Sequence, residues 1–403
     1  MNRLAKQALP GIVVSILSAN AWQNAFALEP ANVEFGPMFI TPTLEVEQYY
    51  TDNLWLTEND KKDTWATILT PKVQAWIQSG PSEYSASFEV KDSHYHSSGD
   101  DDYTDYTTNL DIKQVFNARN ELGLYGEYYD GHEERGTGFI EGNLSLITDS
   151  PIEYQRTTYG GDYTFGSKEA KGRIKVGYRS ADYDYDNFRE FTRFFDREEE
   201  TYDATFFWKI APRTDALIEV RAIENDYVRV DPDDPNGSLS NDTYNYLVGV
   251  DWEATAKTTG HVKVGAYDRE YDSNARSDED GFLWEVGVLW APRTFTSLDF
   301  NTRRYYQPTN GVGDGINTQE VTLAWLYDWS SRSSTRLSWA FANDDYEGSE
   351  RQDDTYGVEA KYIYAFRRWF DLGAGYRFED RDSDVNVFNY DENVWFIEAK
   401  LSL

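Results

Sequence analysis

The chain has 403 residues and a formal charge of −33, with 71 Asp and Glu against 38 Lys and Arg. So acidic a balance excludes nucleic acid as a partner and docking on anionic lipid through a basic face, and the lack of any cysteine excludes a disulfide framework, a lipoprotein anchor and thiolate metal sites. Aromatic residues make up 16% of the chain although its mean hydropathy is low, which suits a wall with aromatic girdles and a polar interior better than a soluble core.

At the front, Arg3 and Lys6 precede an apolar run from Ala8 to Ala19, and Ala25-Phe26-Ala27 supplies small residues for a peptidase. Residues 1–27 therefore read as a signal peptide and 28–403 as the exported chain. No later apolar run approaches the roughly 18 residues of a membrane helix. A spanning structure must then be a closed barrel, which satisfies its backbone between strands.

The exported part repeats one unit: an alternating strand, a short turn, a second strand, and a longer polar run. Eight short turns fall at 80–82, 117–120, 166–169, 211–214, 254–257, 292–294, 330–332 and 366–368. Nine longer loops lie near 51–62, 98–103, 130–153, 182–198, 228–241, 272–280, 306–315, 344–353 and 380–388. These connect 18 strands. Within them the charges keep to one parity. Tyr84, Ala86, Phe88 and Val90 alternate with Ser85, Ser87, Glu89 and Lys91, and Ala216, Ile218, Val220 and Ala222 with Glu219 and Arg221. A charge facing lipid near the midplane costs roughly 2 to 4 kcal/mol, so the charged parity is the lumen side. The pattern predicts an all-β fold, a transmembrane antiparallel outer-membrane β-barrel. A soluble sandwich would alternate too, but would not repeat the two-tier asymmetry of turns and loops.

The final strand carries the same signature. Trp395, Ile397, Ala399, Leu401 and Leu403 form one face, against Phe396, Glu398, Lys400 and Ser402. Trp395, Ile397, Leu401 and Leu403 are the candidates for the signal that the barrel assembly machinery reads, with Leu403 in place of the usual Phe.

Near the start of the exported part, Tyr50-Thr51-Asp52-Asn53-Leu54, Asp63, Leu69-Thr70-Pro71, Gly80, Tyr84, Tyr95, Asp105-Tyr106 and Leu110 follow one another in an order and spacing that resembles the second putative β-barrel porin family. The match in order and spacing covers roughly residues 40 to 115; the remainder agrees as a barrel pattern. Members of that family are commonly encoded in exopolysaccharide gene clusters. The resemblance implies an 18-stranded pore in the outer membrane of a Gram-negative bacterium. It also implies a role with a periplasmic polysaccharide export protein, passing new polymer to the cell surface. Polysaccharide, lipopolysaccharide and outer-membrane lipid are the partners expected with it.

Parity selects the pore-lining candidates: Glu45, Glu47, Lys72, Glu89, Lys91, Arg173, Lys175, Arg179, Glu219, Arg221, Lys263, Glu285, Asp299, Arg303, Asp371, Arg377, Glu398 and Lys400. Mixed charge suits a hydrated path for polyhydroxylated solutes, or opposite charges simply pair between neighbouring strands. The long third loop contains Phe139, Ile140, Leu144, Leu146 and Ile147, which are expected to fold inward as a constriction. The acidic runs at 100–102, 231–237 and 277–281 are oxygen-rich but lack calcium-loop spacing, and read as a solvated surface. His94, His96, His132 and His261 complete neither a metal set nor a nucleophile with its base, so no enzyme, metal or cofactor is expected. Polymer export is the first functional reading. Passive diffusion of small solutes or oligosaccharides is the second, and a surface-binding or structural barrel acting through its loops the third.

Overall fold

The structure is a computed structural model and describes residues 32–255 and 257–402; the expected signal peptide and Leu403 lie outside them. The described residues form β1 (Val33–Phe35), β2 (Met38–Thr51), β3 (Thr64–Ser79), β4 (Ser82–Tyr95), β5 (Tyr103–Asn117), β6 (Asn120–Glu133), β7 (Ile152–Phe165), β8 (Gly172–Tyr185), β9 (Arg197–Ala211) and β10 (Thr214–Tyr227). They continue with β11 (Asn241–Thr255), β12 (Thr258–Tyr271), β13 (Glu279–Arg293), β14 (Thr296–Pro308), β15 (Gly315–Ser330), β16 (Ser333–Glu347), β17 (Gln352–Arg367), β18 (Phe370–Ser383) and β19 (Tyr390–Ser402).

From β2 to β19 each strand pairs antiparallel with the next, and β19 returns to β2, from Val394↔Thr51 to Ser402↔Thr43. The result is a closed 18-strand antiparallel barrel. Below the C-terminal pairing the same edge of β2 is taken by β1, with Val33↔Ile40 and Phe35↔Met38. The tight turn between β1 and β2 uses Gly36 at φ +61°, a left-handed conformation that costs glycine little. Closure leaves little free edge in the wall.

The period of two sorts the side chains. Phe88, Ile174, Ile218, Val248, Trp290 and Ile397 are exposed on the outside, while Leu217, Glu219, Leu247 and Lys263 are buried inside. An apolar belt of this extent would be a liability in water; in lipid it is the natural outer surface. Short turns collect at one end of the barrel and long loops at the other, the end that faces outward in such barrels.

Several expected loops are shorter than composition suggests, the one over 344–353 being cut to 348–351. β6 continues to Glu133, and the loop expected over 182–198 shrinks because β8 runs to Tyr185 and β9 begins at Arg197. Asp182 and Asp184 look like loop residues in the sequence, yet they pair with Thr157 and Gln155 of β7. Strand ends that outrun the lipid can be polar on both faces without giving up their backbone pairing.

One junction departs from the rest. β13 and β14 pair only as far as Glu285↔Arg303. Beyond that point β13 stays with β12 up to Arg269↔Glu279, and β14 with β15 up to Pro308↔Gly315. The outer ends of the two strands diverge, leaving a slot crossed by side chains. Trp284 Nε1 donates to Thr302 Oγ1 at 3.0 Å, Arg304 Nη1 donates to the Phe282 carbonyl at 3.3 Å, and the Tyr306 ring lies 3.3 Å from the Arg269 guanidinium.

Candidate functional site

The pore-lining candidates fall on the inner parity, and most are brought together in ion pairs between strands. Lys72 meets Glu89 at 3.0 Å, Arg173 meets Asp215 at 3.3 Å, Lys175 meets Asp162 at 3.5 Å, and Lys400 meets Glu45 at 3.2 Å. Arg303 reaches Glu320 at 3.1 Å and Arg377 reaches Glu359 at 3.3 Å, while Arg179 pairs with Glu199 and Glu398 with Lys361.

The densest group lies on three strands. Lys263 sits between Glu219 at 2.8 Å and Glu285 at 3.1 Å. Arg221 also reaches Glu285 at 3.1 Å and closes the square onto Glu219. Two cations and two anions cancel there. Glu47, Lys91 and Asp371 make no ion pair within 4.0 Å among the described residues, and Asp299 accepts from Asn301 Nδ2 at 2.8 Å. The wall is therefore polar, hydrogen-bonding and close to neutral along much of its circumference.

The third loop, residues 134–151, runs over the outer mouth and is fixed at three places. Near its start Arg135 forks onto both carboxylate oxygens of Asp101, lies 4.6 Å from the Trp55 ring, and donates to the Thr148 carbonyl at 2.6 Å. In the middle, Phe139 packs 4.4 Å from Phe195 and 5.3 Å from Tyr185, in a buried cluster with Ile140, Ile152, Tyr154 and Tyr183.

Farther on, Glu141 accepts from Arg351 at 2.7 Å and from Arg381 at 2.8 Å, with Asn310 Nδ2 at 3.3 Å. Arg381 belongs to β18 and Arg351 to the loop before β17, near the opposite side of an 18-strand ring from β6 and β7. All three charged side chains are at most 4% exposed. Burial opposes the Arg351 charge, but the neighbouring Asp353 and Glu141 carboxylates outweigh it and hold the guanidinium above its ordinary pKa.

Of the constriction candidates, Phe139 and Ile140 enter the buried cluster, whereas Leu144, Leu146 and Ile147 lie on an exposed helical turn, Leu144–Ile147. Sequence reasoning missed Glu141, Arg351 and Arg381. An isolated Glu between Ile140 and Gly142 carries no local signal of partners 210 and 240 residues away. Of the assembly-signal candidates, Trp395 and Ile397 face outward and exposed on β19, with Leu401 on the same parity and half-buried.

The histidines serve local contacts. His94 Nδ1 lies 2.7 Å from Asp102, His132 Nδ1 lies 2.8 Å from Asp105, and His96 Nε2 lies 2.9 Å from the Thr67 hydroxyl. Among the described residues no three His, Asp or Glu side chains are grouped to hold a metal ion.

The family model described as "Putative beta-barrel porin 2" matches residues 27–403. The chain belongs to this porin family. The porin is thus an outer-membrane protein of a Gram-negative bacterium, and its family is one of channels and not of enzymes. No curated protein matches its sequence. Among solved structures, OccK2 of Pseudomonas aeruginosa overlaps at 10% identity, over 91% of this porin and 98% of its own chain, with a TM-score of 0.49. OccAB4 of Acinetobacter baumannii overlaps at 9% identity, over 93% and 100%, with a TM-score of 0.46. OprD of P. aeruginosa does so at 10% identity, over 90% and 95%, with a TM-score of 0.45.

Proposed function

We propose that this porin is a diffusion channel for small polar solutes, narrowed at its outer mouth by residues 134–151. The observation that carries the reading is the link from Glu141 to Arg351 and Arg381, which ties the third loop to the far wall. An 18-strand ring otherwise encloses an aqueous channel, so the loop and not the wall sets the bore. Paired charges along the lumen favour hydrated solutes of either sign.

Export of a newly made polysaccharide is the second reading. It rests on the resemblance to porins of exopolysaccharide clusters and on the width of the ring once the loop is displaced. Single-channel conductance of the refolded porin in a planar bilayer separates the two. Small steady steps in the wild type, growing when residues 134–148 are deleted, support diffusion. A silent wild type that opens only on deletion supports a conduit that awaits polymer or a periplasmic partner. Silence in both turns attention to the loops as a binding surface.

A further inference from the structure

The short turns invert the charge of the chain. Across the eight turns at 80–82, 117–120, 166–169, 211–214, 254–257, 292–294, 330–332 and 366–368 there are eight Lys and Arg against one carboxylate, Glu169, in a chain with 71 acidic residues to 38 basic. Cations are therefore gathered at the end of the barrel that faces the periplasm, while runs such as Asp100-Asp101-Asp102 belong to the other end.

Two of these turns stand side by side. β16 pairs with β17, and the Ala365 N–H donates to the Arg332 carbonyl at 2.7 Å, so the turn at 330–332 adjoins the one at 366–368. Together they carry Arg332, Arg367 and Arg368, all exposed. None of the three reaches a carboxylate within 4.0 Å among the described residues. The nearest acids along the chain, Asp328 and Asp371, take the lumen parity, and Asp371 is buried and stands opposite Lys400. Elsewhere on the rim the cations are already matched: Lys168 has Glu253 at 3.9 Å and Lys209 has Glu169 at 3.7 Å.

Aromatic rings share the outer side of the same patch. Trp329 is 61% exposed, and Phe366 and Trp369 are each 46% exposed. Trp329 and Phe366 follow the outward parity of Leu323 and Tyr364, so they continue the lipid-facing belt to its lower edge. The Arg367 guanidinium lies 4.9 Å from the Phe366 ring. Rings at the rim of a barrel mark the lipid interface, which sets the arginines where phosphate head groups begin.

We propose that Arg332, Arg367 and Arg368 form a binding site for anionic phospholipid of the inner leaflet, filled best by a lipid with two phosphates, of the cardiolipin class. Planar guanidinium forks match phosphate oxygens, and three of them face two phosphodiesters. Trp329, Phe366 and Trp369 lie against the glycerol and the first acyl carbons. A zwitterionic head group brings its own cation into a patch without acids and is disfavoured. An acidic periplasmic protein would meet the charges but leave the rings without a partner. Each basic residue near an anionic membrane surface is worth about fivefold in binding, so three give roughly a hundredfold before salt screens them. The site lies on the wall and holds whatever the pore conducts.

The test is native mass spectrometry of the full folded barrel, titrated in detergent with cardiolipin, phosphatidylglycerol or phosphatidylethanolamine, with heat-dependent mobility on a gel reporting folding. The wild type is expected to bind cardiolipin at least tenfold more tightly than phosphatidylethanolamine. Replacing all three arginines, R332Q with R367Q and R368Q, should bring the two lipids to within about threefold of each other. R119Q with R213Q removes two exposed arginines from other turns and should leave the preference intact. All five side chains are exposed, so the barrel should fold in each variant; if the triple variant does not, R332Q alone should still weaken cardiolipin severalfold. No preference in the wild type, an unchanged preference in the folded triple variant or, failing that, in R332Q, or an equal loss in R119Q with R213Q would overturn the site. Polyglutamate held by the three arginines more tightly than cardiolipin would overturn it too, and would assign the patch to an acidic protein.

Discussion

Glu141 and Arg351 are 210 residues apart in the chain and 2.7 Å apart in space, and between them they close the largest sequence gap in the constriction apart from the neighbouring Arg381 contact. Glu141→Gln removes the carboxylate that ties the loop to both arginines, while Arg351 keeps Asp353 at 2.5 Å and Arg381 keeps it at 3.9 Å, so the far wall stays paired when the loop lets go. Glu141→Gln should loosen residues 134–151 while leaving the barrel folded. Trypsin has one target in that loop, Arg135, so cleavage after Arg135 should become markedly faster in the variant. Unchanged cleavage would mean that Phe139 and Ile140 hold the loop unaided.

The square of Glu219, Arg221, Lys263 and Glu285 should behave as one electrostatic unit. Lys263→Met leaves two carboxylates facing one arginine and should lower the urea midpoint of the barrel. Combined with Glu219→Gln, the loss should be less than additive, with a coupling energy of about 1 kcal/mol or more. Additive losses would show that the pairs are too well solvated to couple.

The outer face can be tested at two heights of one strand pair. Val248 of β11 is 53% exposed in the middle of the apolar belt, and Val248→Arg should cost about 2 to 4 kcal/mol in lipid. Glu270 of β12 is exposed and lies opposite Asp242 near the long-loop end. Glu270→Arg should change stability by less than about 0.5 kcal/mol. Unfolding titrations in liposomes measure both, and equal costs would contradict the membrane assignment of this face.

Gly160 of β7 has no room for a side chain. An added Cβ would come within 2.5 Å of both the Tyr178 carbonyl oxygen and the Tyr125 hydroxyl. Gly160→Ala should therefore destabilise by about 1 to 3 kcal/mol through overpacking, read as a lower unfolding midpoint. A neutral outcome would mean that the β8 backbone yields there at little cost.

Much of the fold is legible because a barrel is written in short-range patterns. The alternation of Ile218 and Glu219, or of Ile397 and Glu398, assigns a face without knowledge of any partner strand, and the spacing of turns counts the strands. The site is less legible for the opposite reason. Glu141 meets its arginines, 210 and 240 residues away, only after the ring has closed and its strand registers are fixed. Where polar strand ends such as Asp182 and Asp184 were expected to be loop, composition reported the solvent and not the backbone.

The divergence of β13 and β14 also sets how deeply the barrel is immersed. Backbone groups released above Glu285↔Arg303 cannot face hydrocarbon, where each unsatisfied group costs several kcal/mol. On this flank the oily layer must end at or below that pair, with Trp284 and Phe282 lying at the headgroups, where aromatic rings sit favourably. The register break thus works as a waterline, and a spin label moved along the outward positions of β13 would cross from lipid to headgroup contact between Val286 and Trp284.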